Sequence, residues 1–255
     1  MSVPPAQGTT PPGAAGEEEA ARWVRGMFGR VANRYDFLNH LLSLNLDRYW
    51  RARAVRALRP ALARPGARVL DACCGTGDLL LALQSAAPAP VLGADFCHPM
   101  LVAARRKTPG APLVEADALA LPLADRSLDV VATAFGFRNL ANYERGLAEM
   151  LRVLKPGGVA AVLEFSQPPS AIFAALYGLY SKRILPAIGG AVSGDAGAYR
   201  YLPESVRKFP DADELARMMC QAGFEDVRFE RMTGGVVALH TCSAPGGESF
   251  SRNLP

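Results

Sequence analysis

The sequence predicts a doubly wound, mostly parallel α/β sheet. Short apolar runs alternate along the chain with amphipathic segments of about 10–14 residues, which is the pattern of β-α units in such a sheet. The first apolar run ends in Asp71, and a turn of small residues at 72–77 separates it from a new helical pattern that begins at Asp78. Glycines in a turn of this kind let the backbone come close to a ligand.

Each element has its own signal in the sequence. Strands are predicted from apolar runs at 69–71, 91–94, 113–115, 128–133 and 159–165, and a final hairpin from 226–232 and 236–242, which Thr233, Gly234 and Gly235 separate. Helices are predicted from apolar spacing at 17–28, 31–44, 47–58, 78–86, 99–107, 143–154 and 211–222. Asp47 is expected to cap the third helix, and the Pro/Gly cluster at 155–158 to break the chain before the fifth strand.

Composition argues against several classes of function. The 255 residues carry a net charge of +4, and the basic residues are scattered, so a nucleic-acid-binding surface is not expected. The five cysteines include the adjacent pair Cys73 and Cys74, which lacks the spacing of a zinc site. We therefore expect free thiols, no metal site and a reducing cytoplasm. The N-terminus shows no secretory signal, and charges interrupt the apolar segment 171–192, which argues against a membrane span.

Polar groups follow four of the predicted strands. Asp71, Asp95 and Asp117 come at or just after the first three, and the loop 134–139 after the fourth contains Arg138 and Asn139. Because the carboxyl ends of parallel strands meet at one edge of the sheet, a ligand site is expected there.

The residues of this site favour a nucleoside without phosphate. The turn has only two glycines of a dinucleotide-binding motif, because Leu80 occupies the third position, and no P-loop lysine follows. The carboxylates of Asp71 and Asp78 would repel a pyrophosphate but attract an amine. Asp95 lies at the right spacing to bind ribose hydroxyls, and Asp117 could accept from an adenine amino group. Together these features predict S-adenosylmethionine; a nicotinamide-dependent oxidoreductase and a non-catalytic module that binds S-adenosylmethionine are the alternatives.

Several stretches resemble known methyltransferases. VLDACCGTGDL, GADFCHPML and EADALALP resemble the cofactor motifs of class I S-adenosylmethionine-dependent methyltransferases. RVANRYDFLNHLLSLNLDRYWR, TAFGFRNLANYERGLAEMLRVLKPGG, LEFSQP, the stretch 199–205 and MTGGVVALH are similar to the ubiquinone/menaquinone biosynthesis C-methyltransferase family. The resemblance extends from about residue 27 to residue 242.

The resemblance implies a seven-stranded, Rossmann-like sheet whose last hairpin supplies an antiparallel strand. Composition predicts a disordered tail at 1–16 and a flexible tail at 244–255. Between them we expect a helical lid at 17–66 and the methyltransferase domain at 67–243, with a helical insertion at about 168–200. The resemblance also implies a set of cofactor-binding residues, namely Asp71, Gly75, Thr76, Gly77, Asp95, Asp117, Ala118 and Ala134.

The implied reaction is C-methylation of a prenylated quinol precursor. Arg138 would hold the developing phenolate, Asn139 would orient the ring, and Tyr35 and Asp36 would close over the substrate. His240 is expected to be either a proton acceptor or an ordinary histidine in a strand.

Demethylmenaquinol is the favoured substrate, because Cys73 and Cys74 resemble the CCG[TS]GD loop of menaquinone-type members. The benzoquinol of the ubiquinone pathway and another small aromatic substrate are the alternatives. Phe28, Phe37 and Leu38 are expected to form a groove for the prenyl tail with the insertion at 171–185. Peripheral contact with the inner face of the cell membrane and a homodimer are further expectations.

Overall fold

A computed structural model describes residues 7–179 and 196–246 of the chain. The side chains of Asn33, Leu38, Ala174, Leu176, Tyr177, Leu179 and residues 196–200 are outside this description. So are residues 180–195 and 247–255, on which parts of the predicted insertion and C-terminal tail fall.

Seven strands form one sheet in the order β3-β2-β1-β4-β5-β7-β6. The strands are β1 (Val69–Ala72), β2 (Leu92–Asp95), β3 (Leu113–Glu115), β4 (Leu128–Ala134), β5 (Leu154–Phe165), β6 (Glu225–Met232) and β7 (Val237–Ser243). The first five pair in parallel, whereas β7 runs antiparallel to both β5 and β6. The predicted fold class, including the antiparallel final hairpin, is confirmed.

The helices are, in chain order, α1 (Glu17–Val31), α2 (Tyr35–Leu42), α3 (Leu46–Leu62), α4 (Asp78–Gln84), α5 (His98–Lys107), α6 (Tyr143–Val153), α7 (Ala171–Leu179), α8 (Ala196–Lys208) and α9 (Ala212–Gln221). A 3-10 turn at Ala32–Arg34 separates α1 from α2, and another spans Phe137–Asn139. Within the described residues, no helix is long and apolar enough to cross a bilayer.

Two apolar clusters cover the two faces of the sheet. One contains α3 and α4 residues such as Trp50, Leu58 and Leu80. The other contains α6 and α9 residues such as Leu147 and Met219. Helix α3, although it falls within the predicted lid at 17–66, therefore forms part of the core, and only α1 and α2 lie over the strand ends.

Two local predictions differ from the structure. Asp47 is the second residue of α3 rather than its cap, because Asn45 takes the cap position with a left-handed φ of 61°. Strand β5 starts at Leu154, so the cluster at 155–158 does not break the chain before it. Instead, this cluster forms an irregularity in the β4–β5 pairing, with Gly157 at a φ of 71°.

Residues 7–9 bond to the loop that precedes α6, although composition predicts a disordered tail at 1–16. The backbone N–H of Thr9 donates to the Leu140 carbonyl at 2.8 Å, and that of Tyr143 donates to the Gln7 carbonyl at 2.7 Å. These bonds attach residues 7–9 to the loop before α6.

Gly136 allows the β4 loop to approach the glycine turn after β1. A Cβ atom on Gly136 would lie 2.5 Å from the Cβ of Cys73, and Cys73 itself has a left-handed φ of 59°. We expect Gly136→Ala to lower the free energy of unfolding by about 1–3 kcal/mol through overpacking. Adding Cys73→Gly, which removes that clash and tolerates the positive φ, should restore most of the loss. Urea denaturation measures both effects.

Gly26→Ala is the matched control, since a Cβ there meets only the flexible end of Arg30 at 3.6 Å. It should be neutral or slightly stabilising. A double variant as unstable as Gly136→Ala alone would show that the close approach of the two loops is not the cause.

Candidate functional site

Two adjoining chambers lie at the carboxyl ends of the parallel strands. The first, about 890 Å³ with its open mouth, is formed by the turn after β1 and the loops after β2, β3 and β4. The second, about 1320 Å³ with its mouth, lies beneath α1 and α2 and beside α3. Phe28, Tyr35, Arg51 and Phe135 line both chambers, so these four residues mark the boundary between them.

The turn after β1 is shaped by glycines. Gly75 and Gly77 have φ angles of 54° and 89°, which favour residues without a Cβ. The backbone N–H of Gly75 donates to Asp95 at 2.8 Å, which ties the turn to the end of β2. Seven of the eight predicted cofactor-binding residues line the first chamber. The exception is Gly77, which packs against α5, where a Cβ on Gly77 would lie 3.4 Å from the Cβ of Ala104.

Asp71 is the least compensated charge in the first chamber. It is fully buried at the end of β1, and neither carboxylate oxygen makes a hydrogen bond of normal geometry among the described residues, although the Leu80 backbone N–H lies close enough to lower its pKa. Burial raises the pKa of Asp71 well above its usual range, and the nearby Asp95 raises it further, while Arg51 acts in the opposite direction. A cationic ligand group would relieve this unpaired, buried carboxylate.

Asp95 and Asp117 are positioned by backbone donors. Asp95 accepts hydrogen bonds from the N–H groups of Gly75 and Cys97, both at 2.8 Å, and burial raises its pKa to about 6. Asp117 accepts from the Leu119 N–H at 2.9 Å. A carboxylate with two oxygens retains lone pairs for a ligand hydroxyl or amino group after accepting these bonds.

Asp78 is already paired, unlike Asp71. It accepts from Lys107 and lies 3.2 Å from a guanidinium nitrogen of Arg51 and 3.9 Å from His40. His40 and Arg51 also pair with Asp47. His40, Asp47 and Asp78 come close enough together to resemble a metal-binding cluster, but Arg51 already compensates both carboxylates. The predicted attraction of Asp78 for a ligand amine is therefore replaced by an ion-pair network.

Asp36 belongs to this network rather than to the second chamber. It accepts from the Thr76 hydroxyl and pairs with Lys107 at 2.7 Å, so it holds α2 against the glycine turn. Asp36 was predicted to close over the substrate together with Tyr35. Successive residues of a helix are about a quarter of a turn apart around its axis, so Asp36 faces the glycine turn while Tyr35 faces the second chamber.

Arg138 is buried in the wall of the second chamber. A terminal nitrogen donates to Glu164 at 3.0 Å, and the backbone N–H of Arg138 donates to the other oxygen of Glu164 at 3.2 Å. Burial lowers the pKa of Arg138, but Glu164, Tyr35 and Tyr201 together more than offset this, and the pKa is raised. The Nε–H group is buried without a partner among the described residues. No hydrogen bond among the described residues uses its second terminal nitrogen either. Arg138 is thus a fixed cation with unpaired N–H donors on two of its nitrogens.

Asn139 and Tyr35 lie on either side of this cation. Asn139 lines the first chamber, and its amide oxygen accepts from Tyr201 at 3.0 Å. The Tyr201 hydroxyl in turn accepts from Thr9 at 2.7 Å. Tyr35 lines both chambers, and burial raises the pKa of its hydroxyl, while Arg138 and a hydrogen bond with Asn39 act in the opposite direction.

His240 lies outside both chambers, which corrects its assignment as a catalytic residue. On β7 it faces α9, where its Nε2 bonds the Ala212 carbonyl at 2.8 Å and its ring packs near Phe229. Burial lowers the pKa of His240 to about 4. Side chains alternate between the faces of a strand, and this position points to the face opposite α3. The alternative interpretation, a histidine buried in a strand, matches the structure.

Several site residues were missed in the sequence. Trp50, Phe135 and Phe165 form an aromatic wall in the second chamber, with ring centroids 5.0–6.4 Å apart. Arg51 lies over Phe135 at 5.6 Å and Arg138 over Phe165 at 5.3 Å. Two further site residues, Arg51 and Glu164, were also missed, although the sequence carried a signal for each. Arg51 follows Asp47 by four residues, the spacing of an ion pair on a helix, and Glu164 is an acid near the end of the apolar strand β5.

Comparisons with known proteins identify the family of this chain. Residues 15–244 match the model of the ubiE/COQ5 methyltransferase family. A demethylmenaquinone methyltransferase of Thermus thermophilus is 52% identical over 86% of this chain and 100% of the relative. A ubiquinone/menaquinone biosynthesis C-methyltransferase of Syntrophotalea carbinolica is 49% identical over 88% of this chain and 95% of the relative.

Solved structures share the fold at lower identity. The cyclase SpnF has a TM-score of 0.64 at 17% identity, covering 94% of this chain and 100% of that protein. An S-adenosylmethionine-dependent methyltransferase of Mesorhizobium loti has a TM-score of 0.54 at 18% identity, covering 74% and 95%. The extent of the family match and the identity to its members confirm the resemblance, and the chain belongs to the ubiE/COQ5 methyltransferase family.

Proposed function

We propose that the protein transfers a methyl group from S-adenosylmethionine to a ring carbon of demethylmenaquinol. The observation that carries this proposal is the contact of two chambers across Tyr35, Arg51 and Phe135, with an unpaired buried carboxylate in one and a buried arginine in the other. The names of the Thermus thermophilus and Deinococcus radiodurans relatives favour the menaquinone substrate.

The residues of the first chamber fit S-adenosylmethionine. Asp71, with two unpartnered oxygens, would hold the cationic amino acid portion. Gly75 and Thr76 would lie along it, Asp95 would accept from the ribose hydroxyls, and Asp117 with Ala118 would hold the adenine. Ala134 would leave room beside the end of β4. When bound, the cofactor supplies an electrophilic methyl group on a sulfonium centre.

Arg138 would activate the quinol in the second chamber. Its unpaired guanidinium N–H groups can donate to a ring hydroxyl, and its charge lowers the pKa of that hydroxyl, which makes the neighbouring ring carbon nucleophilic. Glu164 holds the guanidinium in place, so little reorganisation is needed. Tyr35 at the chamber boundary would orient the ring toward the first chamber.

The aromatic wall of Trp50, Phe135 and Phe165 offers a flat surface for the ring. Trp50 is fixed by a hydrogen bond from its Nε1 to the Thr233 hydroxyl at 2.9 Å. Met27, Phe28, Val31, Leu202 and Val236 give the rest of the chamber an apolar lining suited to a prenyl tail. Phe37, predicted to belong to this groove, points outward with 61% exposure, and the side chain of Leu38 is outside the described residues.

Contact with the membrane remains part of the proposal, because a prenylated quinol partitions into lipid. The homodimer stays a prediction for which the described chain offers no specific contact.

Restoration of the missing methyl group tests the function directly. Expression of the protein in a bacterial strain that lacks its own quinone methyltransferase should convert demethylmenaquinone to menaquinone, detected by mass spectrometry of extracted quinones. Methylation of the ubiquinone precursor alone would favour the alternative substrate, and no methylation of either quinone would contradict the proposal.

Cofactor affinity should fall as the pH is lowered through the pKa of Asp95, about 6. The ribose hydroxyls need the ionised carboxylate as acceptor, so calorimetry should give about tenfold weaker binding at about pH 5 than at about pH 7. The amino group of the ligand stays protonated over this range. Asp95→Asn should bind weakly and lose the part of the dependence that Asp95 contributes, whereas the exposed Asp125→Asn should retain the whole of it. Equal affinity of the unaltered protein at both pH values would contradict the assignment.

Arg138→Lys should reduce kcat by about 100-fold or more while the Kd for S-adenosylmethionine changes less than about threefold. Lysine keeps a charge beside Glu164 but lacks the Nε–H donor. Since Arg138→Ala alone would leave Glu164 buried and unpaired, Arg138→Ala is combined with Glu164→Gln, and thermal unfolding verifies the fold. A large loss of cofactor affinity in either variant would place Arg138 on the cofactor side instead.

A further inference from the structure

Helix α2 has three faces with different partners. Tyr35, Asn39 and Leu42, spaced as one helical face, line the second chamber. Asp36 and His40 form a second face, which pairs with the glycine turn and the adjoining ion-pair network. Phe37 and Leu41 form the third face and are exposed by 61% and 41%.

This third face departs from the usual amphipathic pattern. A surface helix normally turns polar side chains to water, and a helix that is apolar on opposite faces is normally buried on both. Leu44, Leu46 and Tyr49, at 76%, 38% and 53% exposure, extend the same exposed surface into the turn after α2 and the start of α3.

Helix α7 adds to the surface from the other side of the second chamber. Ile172 and Phe173 are exposed. The ring of Phe173 packs against Gly234, so closely that a Cβ at this glycine would lie 2.6 Å from it. The neighbouring Thr233 lines the chamber, as do Leu44 and Leu46. Seven of the nine large exposed apolar side chains of the described residues therefore belong to segments around one chamber mouth, namely Phe37, Leu41, Leu44, Leu46, Tyr49, Ile172 and Phe173. We call these seven side chains the mouth surface.

The charges beside the mouth surface are basic. Arg48 is exposed between Leu46 and Tyr49, and Arg56 and Arg59 continue along the outer side of α3. The acids of α2 and of the first turn of α3 are already paired with cations, Asp36 with Lys107 and Asp47 with Arg51.

We propose that the mouth surface docks onto an anionic lipid bilayer, so that the second chamber opens toward the membrane. Exposed apolar side chains accompanied by arginines match the composition of surfaces that insert into the headgroup region. The inference rests on the proposed function only for its purpose, which is delivery of a prenylated substrate to the chamber; the binding itself is measured without substrate.

Vesicle sedimentation tests the docking. The full chain should bind vesicles of phosphatidylcholine with phosphatidylglycerol more tightly than vesicles of phosphatidylcholine alone. Phe37→Ser combined with Leu41→Ser, which alters neither chamber lining, should weaken binding by at least about tenfold. Leu81→Ser combined with Val102→Ser is the matched control, since these side chains are 48% and 42% exposed on α4 and α5. This control variant should bind like the unaltered protein.

Activity separates docking from catalysis. With a short-chain demethylmenaquinol in solution, the Phe37/Leu41 variant should retain its kcat, whereas with a long-chain quinol in vesicles its rate should fall in parallel with binding. Unchanged vesicle binding by this variant, or equal losses in the control, would overturn the docking surface. So would a dimer in the absence of lipid that the variant dissociates, because a second copy would then cover the face. Failure of the unaltered protein to methylate the short-chain quinol would refute the proposed function and leave the lipid-binding result standing.

Discussion

Of the three buried acids that the parallel sheet brings together, only Glu164 is paired with a cation among the described residues. The parallel register places Asp71 and Asp95 at one edge, and Glu164 follows on β5, all buried. Burial raises the pKa values of Asp71 and Asp95, and the neighbouring charge of Asp95 raises that of Asp71 further. Among the described residues, Arg51 and Arg138 are the buried cations. Arg138 is paired with Glu164, but Arg51 is held by Asp47 and Asp78, so Asp71 keeps an unpaired carboxylate for a cationic ligand.

The same network makes the lid part of the cofactor site. Because Asp36 bonds Thr76 and Lys107, the position of α2 depends on the glycine turn, and α2 in turn carries Tyr35 into the boundary between the chambers. One short helix thus connects the turn, the substrate chamber and the exposed apolar surface at its mouth.

The parts of the site that sequence reasoning found are those encoded by local pattern. The glycine turn, Asp95, Asp117 and Arg138 follow directly from strand ends, and strand ends can be located from apolar runs. Asp36 and His240 were assigned to the substrate site, but their side chains point elsewhere. The direction of a side chain depends on the rotation of its helix or the register of its strand, and a shift of one residue in a strand moves the side chain to the opposite face. Arg51 and Trp50 were missed because nothing local marks an interior residue of a helix as facing a distant loop.

The succession of strands and helices along the chain, the acidic strand ends, the turn that favours a nucleoside and the family resemblance can all be predicted from sequence, since each depends on neighbouring residues. The pairing of charges depends on the tertiary structure. Asp78 looked as free as Asp71 until α3 and α5 brought Arg51 and Lys107 to it, while no cation is paired with Asp71 among the described residues. Ion pairing depends on distances of a few ångströms between segments far apart in the chain, and packing fixes those distances.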